Sequence, residues 1–453
     1  MRSGLEHALA RAAAGKVSRR ERQLLVAAIV LGVIVRVAYV LATRHYRLAG
    51  DEVEYDSEGW LIAHGHLFYT RLPYGILTAG AWKPPGYPLW VGIWYAIVGH
   101  HPLVVRFAQV PFGAITIALS WVLARRLFGA RVATLAAFVV AVYPLAFQYE
   151  ELLYSESLAT PLTLAALILI FTGRPTRRRA IVCGLLIGVS LLIRASDVFL
   201  FLGLLVTWVV VTGWRRGIAL TALATLVAAL VLVPWTVRNE VVVHGFVPIA
   251  IDDAALYGTF NAQSAHDPVW PYAWRADPPS AAPLFNPHHP LSEITLHSKL
   301  LHLGLSYIGA HPTSVLAAFF WNGLSRLWDI RHRSRSLAEV PFEGRSRLLT
   351  NIGLDVYDVL LPLALIGLWR GRRRRELVLG MLALALGAAI VFTSDSGTRY
   401  RATLEPVIAV LACAGALGAG APSSAASLRG KSHVPPPSKP VGSTTGLGAV
   451  APE

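Results

Sequence analysis

Long apolar runs dominate this sequence and restrict it to the class of membrane proteins. Runs of about 14 to 22 apolar residues recur along the 453-residue chain, and about 20 such residues cross a bilayer as a helix. Only 15% of the residues are charged, against about 25% in an ordinary soluble domain. This excludes a disordered chain and a typical soluble enzyme, and it predicts an all-α polytopic membrane protein.

The crossings follow from the lengths of the runs and the charges between them. As one helix, the stretch 180–213 would be about 51 Å long, which exceeds the bilayer core of about 30 Å. We therefore predict two passes there, with Arg194 and Asp197 at the outer turn. The run 84–99 is predicted to be interfacial or re-entrant, because a full crossing would put basic clusters outside. The predicted crossings are 24–43, 103–124, 132–149, 157–173, 180–193, 198–213, 217–237, 351–369, 377–394 and 404–421.

The charges are distributed as the positive-inside rule requires. The formal net charge is +15, and the basic residues cluster at the ends of apolar runs. The segments predicted to be cytoplasmic hold 23 Lys+Arg and 4 Asp+Glu, whereas the rest of the chain holds 18 and 22. The positive net charge is therefore explained by the basic residues on the cytoplasmic side of the membrane, which argues against a nucleic-acid partner. Both termini are predicted to be cytoplasmic.

The predicted topology gives one membrane domain, residues 1–421, and a short tail. Two segments lie outside the membrane, 44–102 and the larger 237–350. Within the second, the apolar stretch 314–328 is predicted to lie on the membrane or dip into it. The tail 422–453 is rich in Pro, Ser, Gly and Ala and is predicted to be disordered in the cytoplasm.

Carboxylates stand near the outer ends of the crossings. Asp51 and Glu52 begin a stretch with five carboxylates in eight residues. Such a stretch is either a solvated acidic loop or an active-site cluster that supplies a general base or binds a divalent metal. Glu156 stands at the outer end of a later crossing. A carboxylate at that depth is costly unless it is paired, caps a helix or has a function.

Basic residues stand near the same outer surface. Lys83 precedes the apolar run 84–99 and is either an interfacial anchor or a phosphate ligand. Arg399 and Arg401 lie at the outer mouth of the last two crossings, and Arg238 follows the seventh. These arginines can clamp a phosphate or pair with the acids. The sequence contains no Walker loop, GxSxG, HExxH or Cys/His zinc spacing.

Taken in this order, the motifs resemble glycosyltransferase family 39, the protein O-mannosyltransferase and aminoarabinose-transferase group with the GT-C membrane fold. The resemblance extends over about residues 20–415. The stretches that carry it are Asp51-Glu52 with Tyr55, Lys83-Pro84-Pro85-Gly86-Tyr87-Pro88, Tyr154-Ser155-Glu156, Pro234-Trp235 to Arg238-Asn239 with Gly245-Phe246-Val247-Pro248, and Arg399-Tyr400-Arg401 with Glu405-Pro406.

The resemblance implies a reaction and roles for individual residues. It implies inverting transfer of a hexose or pentose from a polyprenyl-phosphate donor, at the outer face of the bacterial cytoplasmic (inner) membrane. The acceptor would be a protein, a lipid or a cell-envelope glycan. Asp51 would be the general base, with Glu52 and Glu156 as further catalytic acids. The donor phosphate would be held by Lys83, Arg238, Arg399 and Arg401, and further site candidates are Tyr55, Tyr87 and Tyr400.

Two alternatives accompany this interpretation. In aminoarabinose transferases an acidic residue precedes the lysine that corresponds to Lys83, whereas this chain has Trp82. A metal site built with that acidic residue is therefore not expected here, and no cofactor is certain. A divalent metal, if one binds, would be held by Asp51 and Glu52. The alternative function is a transporter or flippase for a polyprenyl-linked envelope precursor. A transporter should show ionisable residues within its spans and internal repeats, and here chiefly Arg36 and Arg106 qualify.

Overall fold

Helices make up most of the structure, a computed structural model that describes residues 17–72, 75–251, 254–276, 279–331, 333–395 and 397–418. The tail 422–453 lies outside the described residues. A hairpin of two antiparallel strands, β1 (Tyr69–Arg71) and β2 (Leu77–Ala79), follows the second helix. The helices are α1 (Arg19–Ala42), α2 (Asp51–Ala63), α3 (Gly86–Val98), α4 (Pro102–Phe128), α5 (Ala130–Val142), α6 (Pro144–Glu150), α7 (Glu156–Phe171), α8 (Arg177–Leu191), α9 (Leu200–Thr212), α10 (Trp214–Val242), α11 (Ala254–Thr259), α12 (Ala262–Ala265), α13 (Glu293–Ala310), α14 (Thr313–Ala318), α15 (Arg333–Ala338), α16 (Arg347–Arg370), α17 (Arg375–Val391) and α18 (Glu405–Ala416). Short 3-10 helices cover Ala195–Phe199, Pro279–Phe285, Val340–Glu343 and Thr398–Leu404, and a π-helix covers Phe319–Arg326.

The predicted crossings fall on helices, which confirms an all-α polytopic membrane protein. Within the described residues, five helical segments are long and apolar enough to cross a membrane on their own. The count rises to seven if two bent pairs are included: α5 with α6, bent by 57°, and α13 with the helices up to Arg326, bent by 103°. The second pair lies in the predicted outer segment 237–350. The remaining predicted crossings are shorter; α18 has 12 residues, about 18 Å of helix.

The stretch 180–213 forms two helices, as the prediction of two passes requires. Helix α8 ends at Leu191, and α9 begins after the 3-10 helix Ala195–Phe199. At this turn Arg194 and Asp197 are buried and form an ion pair, with Nη1 and Oδ1 3.3 Å apart. Because an unpaired buried charge is strongly destabilising, the pair explains how two charges are accommodated at this turn.

The helices pack into a large apolar core and leave apolar faces outside. Helix α1 packs against α4 and α5, α8 against α10, α9 against α17, and α16 against α18. On the outer faces of α1 and α10, the side chains of Val30, Ile34, Leu226 and Leu230 are more than half exposed. Rows of exposed apolar side chains are expected where helices face lipid.

The acidic stretch of the first outer segment is a helix rather than a loop. Helix α2 begins at Asp51, so three acids occupy its first turn, where the helix dipole favours negative charge. It packs against α3 through Gly59 and Gly92; a Cβ at Gly92 would lie 3.1 Å from the Gly59 carbonyl oxygen. Helix α3 has 13 residues, about 20 Å of helix, and its interfacial or re-entrant placement stays a prediction.

Candidate active site

Three charged side chains that are distant in sequence meet at the start of α2. The Arg399 Nη2 atom donates a 2.6 Å hydrogen bond to Asp51 Oδ2, and Lys83 Nζ lies 3.5 Å from Asp51 Oδ1. The Asp51 side chain is 28% exposed, whereas those of Arg399 and Lys83 are 12% and 10% exposed. The cluster is therefore a largely buried pair of cations beside a partly exposed carboxylate.

Glu156 lies on the other side of Arg399. Its Oε1 atom is 3.3 Å from Arg399 Nε and 3.8 Å from Arg194 Nε, and its side chain is only 2% exposed. The guanidinium carbon of Arg399 lies 4.6 Å from the ring centroid of Tyr154 and 4.8 Å from that of Tyr400. Arg399 is thus fixed by two carboxylates and two aromatic rings.

The electrostatics of the cluster favour an ionised Asp51. Burial alone would raise the pKa of Asp51, but Arg399 and Lys83 outweigh it and hold the pKa well below its usual range. Lys83 Nζ also lies 3.0 Å from Glu54 Oε2 and 5.9 Å from the ring centroid of Tyr55. Both cations are shared among carboxylates, an arrangement in which an incoming phosphate can exchange with a carboxylate.

Glu52 contacts the chain before α7 instead of joining this cluster. Its Oε1 atom accepts hydrogen bonds from Tyr46 Oη at 2.7 Å and Leu153 N at 2.9 Å, and Oε2 accepts one from Ala49 N at 3.1 Å. Burial raises the pKa of Glu52 to about 7. Because neighbouring residues of a helix do not face each other, Asp51 and Glu52 point to different surroundings.

Arg401 also lies away from the cluster. It is fully buried, and its Nε donates a 2.7 Å hydrogen bond to Glu405 Oε1. Its Nη1 donates to the Leu327 carbonyl at 2.8 Å, and its guanidinium carbon lies 3.8 Å from the ring centroid of Tyr357. These contacts join α16, α18 and the outer segment inside the core.

Arg238 binds the β-hairpin region. Its Nη1 donates a 2.6 Å hydrogen bond to the Gly80 carbonyl, and its Nη2 donates a 3.1 Å bond to the Phe68 carbonyl. Its guanidinium also lies over the ring of Trp235, 5.1 Å from the centroid. Gly80 and Phe68 line a cleft that Lys83 also lines, so Arg238 supports the wall of that cleft.

The three tyrosines predicted as further site candidates, Tyr55, Tyr87 and Tyr400, surround the cluster. The rings of Tyr55 and Tyr87 pack edge to face with centroids 4.7 Å apart, and Tyr87 Oη donates to Gln109 Oε1 at 2.7 Å. Tyr400, beside Arg399, donates a hydrogen bond to Asp395. The tyrosines thus form part of the packing around Lys83 and Arg399.

The sequence did not identify Arg194 or Glu58 as site residues. Arg194 was identified only as a turn residue, although a basic residue at an outer turn can reach a neighbouring site. Glu58 belongs to the acidic stretch, but only the helix period of α2 shows that it lies two turns after Asp51 and one turn after Glu54. In the structure Glu58 is buried and lines the cleft beside Lys83.

A divalent metal does not fit Asp51 and Glu52 as they are arranged. In the part of the chain that the structure describes, no group of three or more His, Cys, Asp or Glu side chains is placed to hold a metal ion. The carboxylate of Asp51 is engaged by two cations, and that of Glu52 by three hydrogen-bond donors. The two carboxylates therefore do not present oxygens to a common point.

The fold is that of the GT-C membrane glycosyltransferases. The structure resembles the archaeal oligosaccharyltransferase AglB from Archaeoglobus fulgidus in complex with an inhibitory peptide and a dolichol-phosphate, with a TM-score of 0.50 and 16% identity. The match covers 88% of this chain and 50% of that protein, so the chain spans about half its length. ArnT from Cupriavidus metallidurans bound to undecaprenyl phosphate gives a TM-score of 0.41 at 16% identity, over 85% of this chain and 77% of ArnT.

A family model gives a second match. Residues 82–237, about a third of the chain, match the dolichyl-phosphate-mannose-protein mannosyltransferase family. The matched segment contains Lys83 and Glu156 but neither Asp51 nor Arg399. Fold and family model together confirm the resemblance to GT-C glycosyltransferases that the motifs predict. No curated protein matches the chain.

Proposed function

We propose that this chain transfers a sugar from a polyprenyl-phosphate donor to an acceptor hydroxyl at the outer face of the membrane, with inversion at the anomeric carbon. The observation that carries the proposal is the cluster of Asp51, Lys83 and Arg399, with separations of 2.6 and 3.5 Å. One carboxylate beside two cations supplies a base and a phosphate site close enough to act on a single glycosidic bond.

In this mechanism the cations act on the leaving group. Lys83 and Arg399 bind the donor phosphate and stabilise the charge that develops on it as the bond to the sugar breaks. Asp51 takes the proton of the acceptor hydroxyl, whose oxygen attacks the anomeric carbon from the side opposite the phosphate. The products are the glycosylated acceptor and polyprenyl phosphate. Glu156 touches Arg399 and is a positioning residue.

Donor binding also activates the base. An Asp51 whose pKa is held low is ionised but binds a proton weakly. A phosphate that engages Arg399 and Lys83 competes with Asp51 for both cations, so the pKa of Asp51 rises in the donor complex. The base becomes stronger only when there is a sugar to transfer.

The comparisons support the class of substrate. The AglB structure holds a dolichol-phosphate and a peptide, which supports a lipid-phosphate carrier and a separate acceptor for a chain of this fold. Cytoplasmic termini and an outward site are supported by the charge asymmetry of the sequence. The transporter alternative rests on Arg36 and Arg106; Arg36 in α1 forms a buried ion pair with Glu150 at 2.5 Å, which is as expected of any packed membrane protein as of a transporter.

Label transfer in membranes tests the proposal. Membranes of a deletion strain that express the wild type, Asp51→Asn or Asp56→Asn receive polyprenyl phosphates carrying radiolabelled mannose, glucose, galactose or arabinose. Asp56 lies on the same helix outside the cluster, so its variant is a matched control. We expect the wild type and the control to label the envelope with at least one donor. The rate of label transfer by Asp51→Asn should be about 10²- to 10⁴-fold lower, because an amide cannot accept the proton of the acceptor hydroxyl. Equal labelling by Asp51→Asn would refute Asp51 as the base, and no labelling with any donor would refute the transferase.

A further inference from the structure

Lys83 is presented by a short loop between β2 and α3, the Lys83 loop, residues 80–85. Two consecutive prolines follow Lys83 and restrict the backbone of the loop, since the proline ring fixes φ. Immediately after the loop, Gly86 N donates a 2.6 Å hydrogen bond to the Leu192 carbonyl. The end of the loop is therefore fixed, and the position of Lys83 depends on what holds its beginning.

Hydrogen bonds from three parts of the chain hold the beginning of the Lys83 loop. Gly80 N donates a 2.9 Å bond to the Phe68 carbonyl, and Ile251 N donates a 2.8 Å bond to the Ala81 carbonyl. Arg238 Nη1 donates a 2.6 Å bond to the Gly80 carbonyl. Of the four backbone polar groups of Gly80 and Ala81, these bonds account for three.

The fourth group, the N–H of Ala81, is bound by a buried carboxylate. Ala81 N donates a 3.0 Å hydrogen bond to Oε2 of Glu293, the first residue of α13 and 212 positions later in the sequence. Glu293 is 4% exposed and Ala81 is 1% exposed. Because a buried N–H without an acceptor is destabilising, loss of this acceptor would favour another conformation of the Lys83 loop.

Stabilisation of α13 does not by itself explain the place of Glu293. The dipole of a helix favours a carboxylate in the first turn, but an exposed carboxylate serves the dipole without the cost of burial. Ser292 already caps α13, since its Oγ accepts a 3.3 Å hydrogen bond from Thr295 N. Glu293 is buried although its Oε1 atom has no hydrogen-bond partner among the described residues. The bond to Ala81 N gives the burial of this carboxylate a reason.

We infer that Glu293 is a positioning residue for Lys83: through Ala81 N it fixes the Lys83 loop so that the ammonium group stands beside Asp51. The inference rests on the proposed function, because it takes Lys83, 3.5 Å from Asp51 Oδ1, as the ligand of the donor phosphate. Glu293 acts on that phosphate only through the two residues of backbone that separate Ala81 from Lys83. The outer segment 237–350, to which α13 belongs, thereby takes part in donor binding.

Two conservative variants of Glu293 separate its reach from its charge. Glu293→Gln keeps an oxygen that can accept the Ala81 N–H bond but loses the charge. Glu293→Asp keeps the charge that the helix dipole favours, but its side chain is one methylene group too short to reach Ala81 N. Each change is made in the wild type and in Lys83→Ala. The control is Glu376→Asp, the same change in the first turn of α17.

Titration of the purified variants in nanodiscs with undecaprenyl phosphate tests the inference. Glu293→Asp should lower the affinity about tenfold, the value of one hydrogen bond to a charged group, and by no more than Lys83→Ala does. Glu293→Gln and Glu376→Asp should bind nearly as the wild type does. In the Lys83→Ala background Glu293→Asp should have no further effect, because the ammonium group through which Glu293 acts is absent.

Three results would overturn the inference. One is an unchanged affinity in Glu293→Asp. Another is a loss in Glu293→Gln with none in Glu293→Asp, which would show that the charge of Glu293 matters and its reach does not. The third is an equal loss from Glu293→Asp in both backgrounds, which would make Glu293 a general support of the fold. If Lys83→Ala binds undecaprenyl phosphate as tightly as the wild type does, the proposed phosphate site fails, and the inference fails with it.

Discussion

Replacing Arg399 by Met should raise the pKa of Asp51. The rate of transfer should then fall at low pH, where Asp51 becomes protonated. Arg399 makes the 2.6 Å contact with Asp51, and Lys83 at 3.5 Å remains in the variant. An opposite charge this close lowers a carboxyl pKa by about 1–3 units, so its removal should raise the pKa by a similar amount. That shift corresponds to about 1.4–4 kcal/mol.

The assay is the pH dependence of kcat/KM for label transfer, which reports the free enzyme. The wild type should stay flat as pH falls to about 4, the usual carboxyl pKa, because Asp51 is ionised throughout. In Arg399→Met the rate should already fall above about pH 4, since burial now acts on Asp51 with less opposition. Arg372→Met, which replaces an exposed arginine of a cluster predicted to be cytoplasmic, is the control. Identical acid limbs in the wild type and Arg399→Met would refute the electrostatic argument.

Three further predictions concern neighbouring groups. Lys83→Ala should lower both donor affinity and turnover. Lys83→Arg should keep only part of each, because a guanidinium is not a point charge. Donor titrations check this, with Lys299→Ala as the exposed control. As pH falls, kcat should begin to decrease at a higher pH than kcat/KM, because the donor phosphate competes with Asp51 for the cations and so raises the pKa of Asp51 in the donor complex. If both decrease at the same pH, donor binding does not activate the base. For Glu58 the folded-state pKa of about 8 exceeds the ordinary value of 4.5. Between these two pH values the folded protein keeps the proton of Glu58 and the unfolded chain loses it, so the free energy of unfolding falls as pH rises toward 8. Thermal unfolding of the wild type should therefore become easier between about pH 5 and 8, and that of Glu58→Gln should depend less on pH.

Much of the fold could be predicted because bilayer thickness and charge placement are strong constraints. The break at 180–213 followed from length, and the basic clusters gave each crossing a direction. That topology puts Asp51, Lys83 and Glu156 on one side of the membrane before any contact is known. The structure brings Asp51 and Glu156 to a common arginine, Arg399, and Lys83 to Asp51, as expected of groups at neighbouring span ends.

The sequence could not tell which of two nearby charged residues faces the cluster. Asp51 and Glu52 are neighbours on α2, and Arg399 and Arg401 stand two residues apart in the 3-10 helix Thr398–Leu404. Neighbours on an α-helix diverge by about 100°, and residues two apart on a 3-10 helix diverge by about 120°, so the rotation of each helix decides which side chain enters the cluster. That rotation is set by tertiary partners, such as Leu153 N for Glu52, which no local pattern encodes.

A row of alternating charges explains why Arg399 can exchange partners without losing its position. From the surface inward the row runs from Asp51 to Arg399, Glu156, Arg194 and Asp197, with each neighbouring pair within 3.8 Å. When a donor phosphate displaces Asp51, Arg399 still has Glu156, and Glu156 is still balanced by Arg194. The cation therefore needs no rearrangement as charge develops on the leaving phosphate, and such preorganisation is what makes a charged group effective in the transition state. Only the outermost member of the row, the partly exposed Asp51, is released, and it is the one that must take a proton.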